Sequence, residues 1–205
     1  MTTINNNFDD IILNRRSIRK YQHFDITDDT IQKIFAMALR APSSKNYQPW
    51  TFRIIKTKAA KDKYSQLFIG NRSQYETASA MIILLVDTRY AARADVIYDK
   101  AIQAGLMSLE SKEKQMNSIK NNHPNPVDIV KTAYLNAGMV AMNLMLAARH
   151  FGLDTCPIAG FDRANTPQAF NLEHHEAVLA ISIGIADDKG YPSIRLDFDE
   201  VAKIE

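Results

Sequence analysis

The chain has 205 residues, of which 46% are hydrophobic and 23% charged, close to the usual composition of a globular protein. Its 25 basic and 23 acidic residues leave a net charge of +2, too little for a general nucleic-acid binder. One cysteine excludes an internal disulfide, and the longest strictly apolar run, Ala80–Val86, is too short to span a bilayer. The polar N-terminus lacks the pattern of a signal peptide, so we expect a single cytoplasmic domain over residues 1–205 with no membrane partner.

The first half of the chain predicts two helices. A short helix is expected from Phe8 to about Asn14, because apolar side chains there share one face. A second helix begins after Thr27, a good N-cap residue, and must end before Pro42. Its apolar residues follow helical spacing: Ile31, Ile34, Phe35, Ala38 and Leu39.

Further along, strands and helices are mixed without a repeat or a linker. Strands are predicted at 50–56, 80–86 and 178–185, and helices at 59–67, at 90–119 and from Thr166. Another helix runs from the N-cap Asn125 to Gly152 and is apolar almost all round, so it must be covered in a core or in a subunit interface. The pattern predicts one helix-covered sheet and leaves the strand directions open.

Common catalytic and metal-binding signatures are absent from the sequence. It has no GxxxxGK[ST], GxGxxG, HExxH, CxxC or GxSxG motif. The adjacent His174 and His175 are expected to be a solvated surface pair rather than metal ligands. Cys156 is expected to be a buried structural thiol, with no histidine or cation beside it to lower its pKa.

Two polar segments remain as candidate binding sites. Residues 15–20 hold four cations, which suit either a solvated helix end or a clamp for phosphate oxygens. Residues 42–50 form a loop between two prolines, either a plain surface loop or a source of hydrogen bonds to a heteroaromatic ring or a ribityl-like chain.

Taken together, these segments resemble the FMN-dependent nitroreductase family in order and spacing. The segments are RRSIRKY at 15–21, APSSKNYQPW at 41–50, GLDTCPIAGF at 152–161, and GYP at 190–192 followed by Arg195. The resemblance extends from about residue 9 to residue 200.

The resemblance implies an α+β fold, with a mixed sheet flanked by helices in three layers, and a homodimer that binds FMN at the subunit interface. Arg15, Arg16, Ser17 and Arg195 would bind the FMN phosphate, and Arg19 would lie beside the flavin N1/O2 edge. The remaining implied contacts are Pro42, Ser43, Ser44, Asn46 and Gln48 to the FMN of the partner subunit, Asn71 at the pyrimidine edge, and Pro157, Ile158, Ala159 and Gly160 along the isoalloxazine.

The implied activity is a ping-pong, two-electron transfer through flavin N5. NADH or NADPH would donate the hydride, and a nitroaromatic, a quinone or a similar small molecule would accept it, with no catalytic side chain and no metal. Two positions depart from some family members: Ala159 replaces a glutamate and Gln74 replaces a lysine. We expect these departures to alter flavin potential and substrate preference.

Three alternatives remain open at this point. A flavoenzyme of the same fold could catalyse dehydrogenation, dehalogenation or flavin fragmentation, because fold does not fix function. A flavin-binding protein without turnover is another possibility. The last is a non-enzymatic nucleotide or nucleic-acid binding module built on residues 15–20, which the balanced charge elsewhere disfavours.

Overall fold

The core of the protein is a single sheet, seen in a computed structural model that describes residues 3–205. Four strands lie in this part of the chain, in the spatial order β1-β2-β4-β3. Their bounds are β1 Trp50–Ile55, β2 Ala80–Asp87, β3 Asp154–Ile158 and β4 His175–Gly184. All eight residues of β2 are buried, which confirms the prediction of a strand covered on both faces.

The helices cover this sheet on both sides. They are α1 Phe8–Leu13, α2 Asp28–Ala38, α3 Lys58–Tyr64, α4 Arg72–Thr77, α5 Ala94–Gln103, α6 Leu109–Asn121, α7 Pro126–His150, α8 Thr166–Ala169 and α9 Phe198–Val201. The predicted caps are confirmed: Thr27 Oγ1 accepts from the Thr30 amide at 3.1 Å, and Asn125 Oδ1 accepts from the Val127 amide at 2.9 Å.

The expectation of a mixed sheet is wrong for the described chain. All three strand pairings are antiparallel, and the parallel contact is an isolated bridge between Ser17 and Thr155. The chain leaves β1 and enters β2 at the same end of the sheet, as antiparallel neighbours require. It does the same between β3 and β4. The crossover through α5, α6 and α7 joins β2 to β3, and β4 lies between those two strands.

Strand β3 was not predicted from the sequence. It contains Pro157, which cannot donate to a ladder and therefore argues against a strand in the middle of a sheet. The structure is compatible with both, because β3 is an edge strand: its ladder runs to β4, and its other side forms only the isolated bridge to Ser17 among residues 3–205.

The long helix predicted over 90–119 is also corrected. The chain forms two helices there, α5 and α6, and Gly105 in the break has a left-handed φ of 70°. The helix predicted at 59–67 ends at Tyr64 and continues as a 3₁₀ segment, Ser65–Asn71. Helices α4 and α9 were not predicted.

Two apolar clusters fill the faces of the sheet and confirm the three-layer arrangement. On one face, α2 and α7 bring Ile34 and Leu144 against Leu84 of β2. On the other face, the segment around Phe68 and Tyr75 packs against the opposite side of β2. The site residues described below lie at the edges of this sandwich.

Helix α7 is buried along one face only. Its length and apolar composition would by themselves suit a membrane span, and Val140, Leu144 and Ala148 are fully buried against the sheet. Leu135 is 65% exposed and Met142 is 38% exposed on the other side. Within a single chain, the sheet therefore covers one side of the helix that the sequence predicted to be covered.

Candidate functional site

The basic segment 15–20 lies along the edge strand β3. Ser17 forms the parallel bridge to Thr155, and the Ile18 amide donates to the Thr155 carbonyl at 3.1 Å. The buried Tyr21 hydroxyl donates to the Ile18 carbonyl at 2.7 Å and pairs with Ser182 Oγ at 2.7 Å. These bonds fix the backbone of the segment, so its long polar side chains start from defined positions.

Arg15 is half-buried and forms no ion pair within residues 3–205. Burial, followed by the neighbouring charges of Arg195 and Arg16, lowers the pKa of its guanidinium. Its Nη1 atom is buried and has no hydrogen-bond partner among residues 3–205. Within residues 3–205, Arg16 donates only to backbone carbonyls, at 3.4 Å to Leu13 and 3.2 Å to Arg15. Three guanidinium groups in this arrangement would be stabilised by an anion, and their fork geometry suits a phosphate.

Arg195 joins this group from an exposed C-terminal tail. Every residue from 191 to 205 is exposed in the single chain. Arg195 Nη1 donates to Ser193 Oγ at 3.0 Å and to the Ile194 carbonyl at 2.9 Å. Its effect on the pKa of Arg15 shows that the two charges lie within electrostatic range of each other.

Arg19 is held by a carboxylate that the sequence did not single out. Asp188 Oδ2 accepts from the backbone amides of Arg19 and Lys20, at 3.0 and 2.8 Å. The Arg19 guanidinium donates to the Ser17 carbonyl at 3.1 Å. Nothing in the linear pattern links position 19 to position 188, so this contact could be found only in three dimensions.

The end of β3 and Asn71 form a second part of the same site. The strand ends at Ile158, and Ala159 and Gly160 leave the sheet as exposed residues. Asn71 Nδ2 donates to the Gly160 carbonyl at 2.5 Å. The structure thus brings Asn71 and the 157–160 segment together on the side of the sheet where residues 15–19 also lie.

Cys156 is buried as predicted, but the prediction that no cation adjoins it is wrong. Burial raises the pKa of its thiol, while the charges of Arg19 and Arg15 and hydrogen bonding by Ser17 and Gln74 act in the opposite direction. The sequence could not reveal this influence on the thiol pKa, because these residues are far from Cys156 in the chain. Gln74 is buried and lies beside the thiol.

The loop at 42–48 is folded by its own polar groups. Ser43 Oγ accepts from the Gln48 amide at 3.0 Å, and Asn46 Oδ1 accepts from Gln48 Nε2 at 3.2 Å. Lys45, Asn46 and Gln48 have left-handed φ angles of 50°, 56° and 46°. Pro42 and Ser44 are exposed. The loop therefore has a defined conformation that presents Ser44 and Asn46 outward.

Two residues that the sequence did not indicate anchor this loop. Asn136, buried in α7, accepts from the Ser44 amide at 3.3 Å. Arg93 donates to the carbonyls of Gln48 and Trp50 at 3.2 and 2.8 Å, and burial lowers the pKa of its guanidinium. Both anchors are more than 40 residues away in sequence, and neither lies in a motif.

One chain does not bring the two sets of predicted residues together. The 42–48 loop leads into β1, whereas residues 15–19 and 157–160 lie along β3. The strands β1 and β3 are the two opposite edges of the sheet. With neighbouring strands ~4.8 Å apart, the two edges are separated by roughly 14 Å. Within one chain, the two sets of residues therefore lie at opposite edges of the sheet.

Comparisons with known proteins show which proteins this chain is similar to. The chain is 37% identical over 203 residues to the Bacillus subtilis protein YdgI, named as an NAD(P)H nitroreductase, with 97% of each chain covered. A crystal structure of a nitroreductase from Exiguobacterium sibiricum in complex with FMN superposes with a TM-score of 0.94 at 34% identity and covers 100% of both chains.

A third relative carries a different name. The enone reductase of CLA biosynthesis from Lactiplantibacillus plantarum is 28% identical over 200 residues, covering 95% of this chain and 92% of that protein. The model of the nitroreductase family matches residues 12–185, which include the basic segment, the 42–48 loop, Asn71 and the end of β3. This chain therefore belongs to the nitroreductase family.

Proposed function

We propose that the chain is a single-domain, cytoplasmic, FMN-dependent NAD(P)H oxidoreductase that acts as a homodimer. The observation that carries this proposal is the half-buried Arg15 side chain, whose buried Nη1 atom has no partner among residues 3–205 and which lies within range of two further arginine charges. A terminal phosphate dianion would supply the acceptors that these donors lack.

The residues present fit the phosphate end of FMN. Arg15, Arg16 and Arg195 form no ion pair in the part of the chain that the structure describes, so their charges are free to meet an anion. Ser17, the residue after Arg16, adds a hydroxyl donor. These residues would hold the phosphate and thereby fix the distance of the rest of the cofactor from β3.

The other end of the cofactor would lie beside Arg19, Asn71 and the 157–160 segment. The Arg19 guanidinium favours negative charge next to it. Asn71 donates to the Gly160 carbonyl, which orients its side-chain amide. The methyl side chain of Ala159 brings neither a proton donor nor a charge to this end of the site. Ser44 and Asn46, presented outward by the 42–48 loop together with Pro42, Ser43 and Gln48, would contact the cofactor of the partner subunit.

Three features support the homodimer. The two sets of residues lie at opposite edges of the sheet. Helix α7 leaves Leu135 and Met142 exposed on the face away from the core. The tail beyond Tyr191 exposes Ile194 and Phe198. Apolar area of this kind is stabilised when a second copy covers it.

The chemistry that FMN supplies when bound is two-electron transfer from NADH or NADPH to a small acceptor through N5, in a ping-pong cycle. The protein's part is to bind and orient both reactants and to stabilise charge, which needs no nucleophilic side chain. Nitroaromatics and quinones are the proposed acceptors.

A second candidate acceptor is an α,β-unsaturated ketone, favoured by the relative named as an enone reductase. The two candidates differ in acceptor alone and share the proposed cofactor. A panel containing one nitroaromatic, one quinone and one enone, each with NADH and with NADPH, separates them by kcat/KM.

The experiment that tests the proposal is a visible spectrum of the purified protein, supplemented with FMN, before and after anaerobic addition of NADH and then NADPH. We expect a flavin spectrum that bleaches with at least one of the two. A protein that takes up no FMN would overturn the cofactor assignment. Bound FMN that neither donor reduces would favour a flavin-binding protein without turnover.

A further inference from the structure

A turn at residues 188–191 lies against the Arg19 side chain and is fastened to it in several ways. The Asp188 carboxylate accepts from three backbone amides: those of Arg19 at 3.0 Å, Lys20 at 2.8 Å and Gly190 at 2.7 Å. A small cavity of about 170 Å³ opens between Arg19 and this turn.

Gly190 allows the turn to approach so closely. Its φ is +65°, a conformation that side chains rarely adopt. A Cβ at this position would lie 2.9 Å from Arg16 Cβ and 3.2 Å from the Ser17 carbonyl. The turn and the basic segment are therefore in direct backbone contact, which fixes the position of the next residue, Tyr191.

The Arg19 guanidinium lies between two neutral groups. Its carbon is 4.8 Å from the centre of the Tyr191 ring, within the range of a cation–π interaction. Its Nη1 atom donates to the Ser17 carbonyl. The nearby Asp188 carboxylate forms its hydrogen bonds with backbone amides, and Arg19 has no ion pair within residues 3–205. The side chain is thus restrained while its positive charge is not neutralised.

On the basis of the proposed function, we propose that Tyr191 is a positioning residue for Arg19 and that the cation it restrains raises the midpoint potential of the bound flavin. A fixed cation beside the flavin stabilises the negative charge that the cofactor gains on reduction. Without the ring, the guanidinium can turn into solvent, where water screens its charge.

The test is the midpoint potential of bound FMN, measured by equilibration with a reference dye, in Tyr191→Leu and Tyr191→Phe. Tyr191 is 73% exposed, so neither change disturbs the core. We expect Tyr191→Leu to lower the equilibrium constant for two-electron reduction about tenfold, a fall of about 30 mV. Tyr191→Phe keeps the ring and is expected to retain the wild-type potential.

A double-variant cycle shows whether Tyr191 acts through Arg19. Arg19→Gln alone is expected to lower the potential, and adding Tyr191→Leu to it is expected to cause no further fall. Equal falls in both backgrounds, or an unchanged potential in FMN-loaded Tyr191→Leu, would overturn this proposal and leave the proposed function intact. A wild-type protein that binds no FMN would overturn both.

Discussion

At the scale of single residues, Arg15 shows how a binding site lowers the stability of the protein that contains it. Burying a guanidinium atom without a partner, next to two like charges, costs free energy in the folded state. A bound anion removes that cost. Arg15 is therefore expected to lower the stability of the folded protein without cofactor and to raise it when the cofactor is bound.

We predict that Arg15→Gln raises the melting temperature of FMN-free protein. Removing a half-buried cation with one unsatisfied buried atom is worth about 1 kcal/mol, which corresponds to about 2–4 °C for a chain of this size. Differential scanning calorimetry checks this, with the exposed Arg40→Gln as the matched control. A melting temperature below that of the control would mean that Arg15 stabilises the empty site.

Asp87 has the opposite character, since its charge is paired inside the protein. Arg89 donates to its two carboxylate oxygens at 2.9 and 2.6 Å. Burial opposes ionisation, but these bonds and the charge of Arg89 outweigh burial, and the pKa of Asp87 lies below its ordinary value of 3.8. A carboxyl with a lowered pKa stabilises the folded state above its unfolded pKa and loses that contribution as the pH falls.

We predict that Asp87→Asn flattens the acid side of the stability curve. The wild-type protein should lose stability more steeply than the variant as the pH falls below about 4, the ordinary pKa of the carboxyl. At pH 7 the variant should be the less stable of the two. Melting temperatures between pH 3 and pH 7 check this, and parallel curves would contradict the role assigned to the pair.

At the scale of elements, local patterns predicted most of the helices and strands. The caps at Thr27 and Asn125 and the apolar run of β2 were readable because each depends on neighbouring residues. Strand β3 was missed because Pro157 argues against a strand unless the strand is known to lie at an edge. Edge position is a property of the assembled sheet.

For the site as well, the sequence indicated candidate residues but not the distant contacts that hold them. The family resemblance selected Arg15, Arg19 and Gly160 as parts of one site, and the structure places them along β3. The residues that hold them, Asp188 above all, act across 169 positions of sequence. Such contacts leave no periodicity or spacing in the chain, so sequence reasoning could not find them.

Two glycines offer a matched test of how the turn at 188–191 supports the site. Both have left-handed φ angles, +65° at Gly190 and +70° at Gly105, but a Cβ at Gly105 would meet nothing within 4 Å. We predict that Gly190→Ala and Gly105→Ala each lose roughly 1 kcal/mol of stability from the backbone conformation. Only Gly190→Ala should also weaken FMN binding, by displacing Arg16 and Ser17.

Isothermal titration of FMN into the two variants measures the difference. Equal FMN affinities would show that the contact between the turn and the basic segment does not matter for the cofactor.

At the scale of the whole molecule, the arrangement of the edges determines how a site can be completed. The strands β1 and β3 carry the two sets of proposed contacts, and β2 and β4 separate them within a chain. A second copy can bring the β1 edge of one subunit to the β3 edge of the other. The exposed face of α7 and the exposed tail provide apolar area for that contact.

Mixed dimers test this arrangement. We predict that Arg15→Gln and the loop variant Ser44→Ala/Asn46→Ala both bind FMN poorly as homodimers. A heterodimer of the two, co-expressed with different tags, should regain one FMN per two chains, because one of its sites contains neither change. If each site were built from one chain, both sites of the heterodimer would stay defective and no FMN would return.

The proposed site depends above all on Arg15, Arg16 and Arg195 holding the phosphate of FMN. The most direct measurement is the affinity of the wild-type protein for FMN and for riboflavin, which lacks the phosphate, by fluorescence titration at equal ionic strength. With two or more charge-assisted hydrogen bonds at stake, we predict that FMN binds at least about 100-fold more tightly. Equal affinities for the two flavins, or binding of neither, would contradict the account.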